Sequence, residues 1–384
     1  MLFNRTRLRI AGIFFIIVSL YSCDKGSLNP TGGSTGGGNS GTVASFSVIP
    51  IPTVNLATQI IPNLAAFYVT NKGPYVQVQN TTAQRWSVYK YMGGTGTGAW
   101  ISFTPNFAAS WFRPTSMFYE TGSAFSIYWS STNLSPDKYG MYNINTGTTS
   151  FEFPVPTGIY GPGIFGEVVP PTKSSNSGRV WAMVANEVWR ESFVAVPKTF
   201  EKVLTLPAAE MRIRTDAIMA DPDVETTIWI AAKGRLYQVS EVGNPTPPRG
   251  TIVNSWNFNS IAPDDRIWTI LKVGGNIIVQ FGNRVYKQNG SSFTNIGTLN
   301  PGVGNNICTN GSMIYSSDGK YYDSNTNSWK SFLGTGTNLS AQDQAKYSQL
   351  QAYCTVGLPI GCVYGSGPVY FLSTSELIEV NPIH

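Results

Sequence analysis

The chain contains few residues able to do acid–base, nucleophilic or metal chemistry. Its single histidine, His384, stands at the last position. A Ser-His-Asp triad, a Cys-His pair and a histidine-ligated zinc or iron site each need a placed imidazole, so these chemistries are set aside. Carboxylates remain, because glycoside hydrolysis needs only two acids at a suitable separation. The candidates are Asp221, Asp223 and Glu225 in ADPDVETT, Asp264 and Asp265 in APDDRIW, and Glu187. Both clusters stand just before an Ile-Trp strand, in what read as equivalent positions of successive units. That favours a repeated turn in which Asp accepts backbone N–H groups over a unique active centre. Oxygen ligands at the alternating positions Asp221, Asp223 and Glu225 also suit Ca2+, although the twelve-residue EF-hand pattern is not met. No other cofactor is expected.

Cys354 and Cys362 flank a short Gly/Pro-rich excursion, TVGLPIG, and form the disulfide candidate in an oxidising compartment. Closing so short a loop would constrain the unfolded chain by roughly 2.5 kcal/mol. Cys308 is the odd residue, so three pairings stay open, alongside three buried thiols acting as small apolar side chains. Ser316-Ser317-Asp318-Gly319 begins like the S-x-D-x-G-x-x-W turn of sialidases but continues as KYYD, which puts the glycine and tryptophan out of register. MGGTGTGAW, around Gly93, lacks the lysine and following helix of a phosphate loop.

The segment before these residues carries an address. Arg5, Arg7 and Arg9 lead into the apolar run Ile10 to Tyr21, which ends at Ser22-Cys23. Roughly 12 apolar residues are too few for a membrane span of about 20, so residues 1–22 read as a cleaved export signal. Leu20-Tyr21-Ser22-Cys23 resembles the lipobox of bacterial lipoproteins. The resemblance implies that the Cys23 thiol is lipidated and becomes the mature N-terminus, which places the protein at the outer membrane. Residues 23–42, DKGSLNPTGGSTGGGNSGT after the cysteine, cannot bury enough surface to order themselves. They read as a tether with an r.m.s. reach on the order of 25 Å. The folded domain is expected over 43–384.

Removing the three signal arginines from 26 basic residues leaves 23 against 21 acidic ones, a mature charge near +2. No polyanion footprint is present, which argues against a nucleic-acid partner. Charged residues make up 12% and aromatics 13%, with 39 Gly and 24 Pro, a balance typical of turn-rich β structure.

A hairpin recurs seven times: a β-rich strand, a tight turn, and a second strand with an aromatic or apolar stripe. The clearest copies turn at Lys233-Gly234, Gly282-Asn283 and Asp318-Gly319; others turn at Ala185-Asn186, Thr374-Ser375 and Lys72-Gly73, and SIYWSS returns through a longer loop as YGMYNI. The later turns fall 48, 49, 36 and 56 residues apart, close to the roughly 40 to 50 residues of a four-stranded propeller blade. A further strand follows in KYYDSNTNSWKSF, YNINTGTTSFEF and RVYKQNGSSFTNI. Here the chain resembles kelch-like propellers: Tyr321, Tyr322, Asp323, Thr326, Asn327 and Trp329 match that repeat in one blade, with Phe151 and Phe293 at the late aromatic position of two others. TIWIAAKGRLYQV is similar to the short propeller repeats of bacterial sensor ectodomains. The implied fold is all-β, a propeller of about seven four-stranded blades, with six to eight open and paired β-sandwiches as the alternative. Trp181, Trp229, Trp268 and Tyr286 are expected in the core between blades. SFSVIPI is expected to close the ring by pairing with LIEVNPI, and a short helix is expected near 340–353 with Ser340 as N-cap.

The resulting expectation is a non-enzymatic binding or scaffold module, lipid-anchored and presenting loop aromatics such as Trp100, Trp111 and Tyr160 to a glycan or an envelope protein. The alternative is a polysaccharide-cleaving enzyme, a glycosidase or lyase, using paired carboxylates. Oligomeric state is not legible. Replacing Cys23→Ser is predicted to abolish incorporation of a labelled fatty acid during growth; label retained by the variant would refute the anchor.

Overall fold

The computed structural model describes residues 42–51, 67–70, 73–80, 85–92, 100–103, 112–121, 124–131, 138–143, 148–154, 164–166, 181–184, 186–191, 200–207, 217–221, 223–224, 226–232, 234–241, 249–261, 266–300, 307–356, 358–363, 367–373 and 376–384. The chain divides into Met1–Asn39 and a compact unit, Ser40–His384. The export signal, Cys23 and most of the tether lie outside the described residues.

Among its described residues the compact unit is all-β apart from one helix. It enters on β1 (Ser45–Pro50) and then builds sheet I from β2 (Phe67–Thr70), β3 (Gly73–Asn80), β4 (Arg85–Tyr91) and β5 (Trp100–Phe103). Sheet II is β6 (Phe112–Thr121), β7 (Ala124–Ser131), β8 (Lys138–Asn143) and β9 (Thr148–Pro154), and sheet III is β10 (Ile164–Gly166), β11 (Trp181–Val184), β12 (Glu187–Glu191) and β13 (Phe200–Thr205). Sheet IV holds β14 (Ala217–Ala220), β15 (Thr227–Ala232), β16 (Arg235–Glu241) and β17 (Gly250–Asn257). Sheet V holds β18 (Ile267–Val273), β19 (Asn276–Phe281), β20 (Arg284–Asn289) and β21 (Ser292–Thr298). Sheet VI is β22 (Ile307–Thr309), β23 (Ile314–Ser316), β24 (Lys320–Asp323) and β25 (Ser328–Ser331). After the helix α1 (Ala341–Thr355), sheet VII is β26 (Ile360–Cys362), β27 (Val369–Leu372), β28 (Glu376–Asn381) and, outermost, β1.

Among the described residues there are thus seven four-stranded antiparallel sheets, and the seventh is completed from the other end of the chain. Ser45 pairs with Asn381 and Pro50 with Glu376, so the SFSVIPI and LIEVNPI segments pair as expected. The first strand of each sheet lies against the first strand of the next, in the order β2, β6, β10, β14, β18, β22, β26, and β26 lies against β2 again.

Local sequence explains the hairpins. Gly234 (φ +70°) and Gly319 (φ +80°) supply the left-handed backbone that their tight turns require. Six of the seven expected hairpins are the middle pair of their sheet, as in β15–β16, β19–β20 and β23–β24. The copy at Lys72-Gly73 differs: it joins the first and second strands of sheet I, whose middle pair is β3–β4. A glycine turn signals a reversal and carries no information about which strands of a sheet it joins.

Packing explains composition. All six residues of β15, TIWIAA, are buried, and five of six in β19, NIIVQF, because inner strands are covered on both faces by adjoining sheets. Outer β17 is mostly exposed. The described core clusters bridge neighbours: Val188 and Val203 meet Ile228, Ile230 and Val239 between sheets III and IV, and Trp229, Leu236 and Phe258 meet Ile267, Val279 and Phe281 between IV and V. Ile49, Leu372 and Leu377 meet Val76 and Tyr89 between VII and I. Trp229 and Tyr286 are buried as expected; the side chain of Trp181 lies outside the described residues, and Trp268 belongs to none of the described clusters.

Helix α1 is capped by the Ser340 hydroxyl, which accepts the N–H of Asp343 at 3.1 Å. It buries Leu350 and Cys354 against the core shared by sheets VI and VII. This placement corrects the expected Cys354–Cys362 bridge. Cys362 on β26 is bonded to Cys308 on the adjoining strand β22, with Cα atoms 5.7 Å apart, while Cys354 is a free, buried thiol lying against Gly319. Nearness in sequence gave way to the close approach of two first strands.

The disulfide closes a separation of 54 residues, which the entropic model values at about 4 kcal/mol. Peptide mapping without reduction is predicted to recover a Cys308–Cys362 crosslink. The double change Cys308→Ala, Cys362→Ala is predicted to lower the urea midpoint far more than Cys354→Ala; the opposite order would refute this pairing.

Candidate functional site

The acidic cluster after β14 is the one sequence-expected site whose geometry is described in detail. Asp221 ends the first strand of sheet IV and is buried. Its Oδ1 accepts the N–H groups of Asp223 (2.9 Å) and Val224 (3.2 Å), and its Oδ2 accepts the indole N–H of Trp229 (3.1 Å). Lys272, from β18 of sheet V, places Nζ 2.5 Å from Asp221 Oδ1 and 2.9 Å from Asp223 Oδ2. Burial pushes the Asp221 carboxyl up, but hydrogen bonds from Lys272, Trp229 and the Asp223 N–H outweigh it and hold the carboxyl below its usual value. For Lys272, burial is likewise outweighed by the two aspartates, which hold the ammonium above its usual value.

Of the expected calcium ligands, Asp221 and Asp223 converge on the Lys272 ammonium. Glu225 lies outside the described residues. Among the described residues no group of three or more His, Cys, Asp or Glu side chains could hold a metal ion. The supposed equivalence of the two acidic clusters is also corrected. Ile228-Trp229 lies on the second strand of sheet IV, whereas Ile267-Trp268 opens the first strand of sheet V. The counterpart of Asp221 is Asn310 after β22, whose Oδ1 accepts the N–H groups of Ser312 (3.1 Å) and Met313 (2.9 Å). Asp264 and Asp265 lie outside the described residues.

Other titratable groups are similarly engaged. Glu187 meets Lys202 across β12 and β13 at 3.1 Å. Buried Arg190 and Glu241 meet at 2.7 Å between sheets III and IV. Asp318 pairs with Lys320 at 2.8 Å and hydrogen-bonds the Ser316 hydroxyl. Asp323 accepts hydrogen bonds from Lys330, the Asn325 N–H and the Thr326 hydroxyl, which bring its carboxyl down to about 2. Burial, with Asp318 nearby, pushes the Cys354 thiol up to about 12, so it is no nucleophile at neutral pH. His384 Nε2 stands 3.1 Å from Tyr315 Oη, and its ring packs edge-on to Tyr321; burial lowers its pKa, so it is neutral at pH 7.

The aromatic candidates divide. Trp111 and Tyr160 lie outside the described residues. Trp100 packs on Tyr91, with ring centroids 5.4 Å apart, and donates its indole N–H to the Pro50 carbonyl at 3.0 Å. Trp256 on β17 donates to Ser291 O (2.8 Å) and Trp329 on β25 to Ile296 O (2.7 Å). These outer-strand indoles fasten neighbouring sheets. Gly297 is required beside Trp329, since a Cβ there would strike the indole nitrogen. Sequence reasoning missed Lys272 and Arg190 as partners. Their one signal is a cation within an otherwise apolar or aromatic strand, IWTILKV and EVWRE.

No protein-family model matches the chain, and no curated protein matches it. Among solved structures, the chain is similar to a functionally unknown protein from Desulfotomaculum acetoxidans, at 11% identity and a TM-score of 0.44 over 73% of this chain and 87% of that one. It is similar to Sqt1 of Saccharomyces cerevisiae at 11% identity and TM-score 0.44, over 81% of this chain and 69% of that one. It is also similar to the extracellular domain assigned to the hybrid two component system BT4673 of B. thetaiotaomicron, at 10% identity and TM-score 0.39, over 88% of this chain and 40% of that one. Among the described residues no helix is long and apolar enough to cross a membrane.

The ion pair of Asp221 and Lys272 sets a pH dependence. A carboxyl with a folded pKa below its unfolded value stabilises the fold fully above about pH 4 and loses that contribution as pH falls through the folded pKa. The ammonium, raised in the fold, contributes below about pH 10 and loses its contribution as pH rises further. Asp221→Asn is predicted to cost about 3 kcal/mol at pH 7, with the gap to wild type in urea midpoint narrowing below pH 4. A gap independent of pH would refute the ionic role.

Proposed function

We propose that the chain is an exported, lipid-anchored β-propeller of seven blades, acting at the outer membrane as a non-enzymatic binding or scaffold module for a glycan or an envelope protein. Support for the propeller comes from the seven four-stranded sheets, the succession of first strands that returns from β26 to β2, and the completion of sheet VII by β1. In paired β-sandwiches the first strands would have no reason to follow one another in a single cycle. The kelch-like resemblance around Tyr322, Asp323 and Trp329 agrees with this reading. Support for export and anchoring is the signal and lipobox pattern ending at Cys23.

The observation that carries the non-enzymatic part is the engagement of candidate acids by cations. Asp221 and Asp223 share Lys272, and Glu187 holds Lys202. A glycosidase needs one carboxyl kept protonated by its surroundings and a second held ionised across a gap. Asp221 is instead held ionised against an ammonium.

The test is a screen of the chain against a glycan array and a detergent extract of bacterial envelope, run in parallel with an assay for new reducing ends. Saturable binding without new reducing ends is the expected result. Release of reducing ends that disappears on Asp221→Asn or Glu187→Gln would overturn the proposal in favour of a polysaccharide-cleaving enzyme.

A further inference from the structure

β17 is the outermost strand of sheet IV, and its residues Thr251 to Ser255 are exposed in unbroken succession. Successive side chains on a strand point to opposite faces, so this strand stands clear of both neighbouring sheets. Its ladder to β16 carries a bulge at the same place. Gln238 pairs with Asn254 and Val239 with Ile252, which leaves Val253 as the extra residue. Next to the bulge the register sets Gln238 opposite Asn254 and Leu236 opposite Trp256. Opposite residues share a face, and so do residues two apart along one strand. Gln238 and Asn254 therefore stand on the face that carries Trp256. That face is turned to sheet V: Trp256 stacks on Trp229 with centroids 5.6 Å apart, and meets Phe293 of β21 edge-to-face at 5.4 Å.

The polar and apolar parts of this surface are both fixed. Asn254 Nδ2 donates to Gln238 Oε1 at 2.7 Å, and neither amide has another side-chain partner among the described residues. The Gln238 amide donors and the Asn254 carbonyl oxygen thus remain to be used. The Trp256 ring is held by its indole N–H on Ser291 O at 2.8 Å, and Trp256 and Phe293 are each half-buried. Neither GTIVNSWN of β17 nor SFTNIGT of β21 contains a charged residue. An uncharged donor and acceptor beside an aromatic wall suit a sugar, whose vicinal hydroxyls each give and take a hydrogen bond while one ring face shows only C–H groups. A surface held in this way loses little freedom on binding.

We propose that Gln238, Asn254, Trp256 and Phe293 form a binding site for a neutral glycan: the C–H face of one hexose rests against the two rings, one hydroxyl accepts from the Gln238 amide, and its neighbour donates to the Asn254 carbonyl. The inference rests on the reading of the chain as a glycan-binding module and names the class of glycan. A uronic acid would find no cation on β17 or β21, and its carboxylate would lose water without compensation.

The test is calorimetric titration of the full chain with neutral hexasaccharides of glucose, mannose and galactose and with polygalacturonate, at low and high salt. At least one neutral hexasaccharide is expected to bind with an affinity that salt does not change, and polygalacturonate is not expected to bind. Gln238→Ala and Asn254→Ala are each expected to weaken binding about tenfold with unchanged thermal midpoints, and Trp256→Ala to remove it. If Trp256→Ala does not fold, the two amide variants decide. Failure of every neutral hexasaccharide to bind, or equal binding by both amide variants, overturns the site. Polygalacturonate bound in a salt-dependent way overturns the neutral class. Binding of an envelope protein or of another glycan that both amide variants retain overturns the site and leaves the binding-module reading standing. Release of reducing ends from a bound hexasaccharide overturns the non-enzymatic reading itself.

Discussion

A four-stranded sheet with apolar side chains on both faces cannot stand alone in water, and this constraint shapes the whole compact unit. β15 and β19 carry buried residues toward both neighbours, so each sheet needs a partner on either side. β26 lies against β2, and the pairing of β1 with β28 joins the first and last strands of the compact unit. The Cys308–Cys362 bond then joins the first strands of sheets VI and VII.

Charge serves the same assembly. Arg190 meets Glu241 between sheets III and IV, and Lys272 meets Asp221 between IV and V, each pair largely shielded from water. An isolated charge at such a place would be costly, so each cation sits within reach of a carboxylate on the adjoining sheet. Geometry of this kind specifies which sheet faces which. Among the described residues, the acids singled out in the sequence are engaged in the same way: Asp221 accepts turn N–H groups and the Lys272 ammonium, Asp223 meets Lys272, and Glu187 meets Lys202.

Aromatic residues divide by strand position. Indoles on outer strands, at Trp100, Trp256 and Trp329, reach a carbonyl of a neighbouring sheet and act as fasteners. Trp229, on a second strand, lies in the core and donates to Asp221. Trp268 is displaced from this scheme by one extra residue in its ladder, and the Arg266 guanidinium lies over its ring. The same amino acid is thus a clamp between sheets, a core residue or a half-buried ring outside the described clusters according to its register.

The strands, their tight turns, the capped helix and the closing partners were legible in the sequence, because period-two patterning, glycine turn pairs and a Ser N-cap act over a few residues. The hairpins were visible on that basis, though not their places within a sheet, and SFSVIPI was matched to LIEVNPI through the resemblance to propellers, whose last blade is often completed by an N-terminal strand. Tertiary structure alone decided what meets across sheets. Cys362 bonds to Cys308 and not to nearby Cys354, Lys272 meets both Asp221 and Asp223, and Asn310 repeats the Asp221 turn. The first two depend on which first strands lie side by side. Such contacts link positions about fifty residues apart, as at Asp221 and Lys272, and local patterning carries no record of that distance. The chemistry of each side chain was therefore set by its sequence, and its partner by the register of neighbouring sheets.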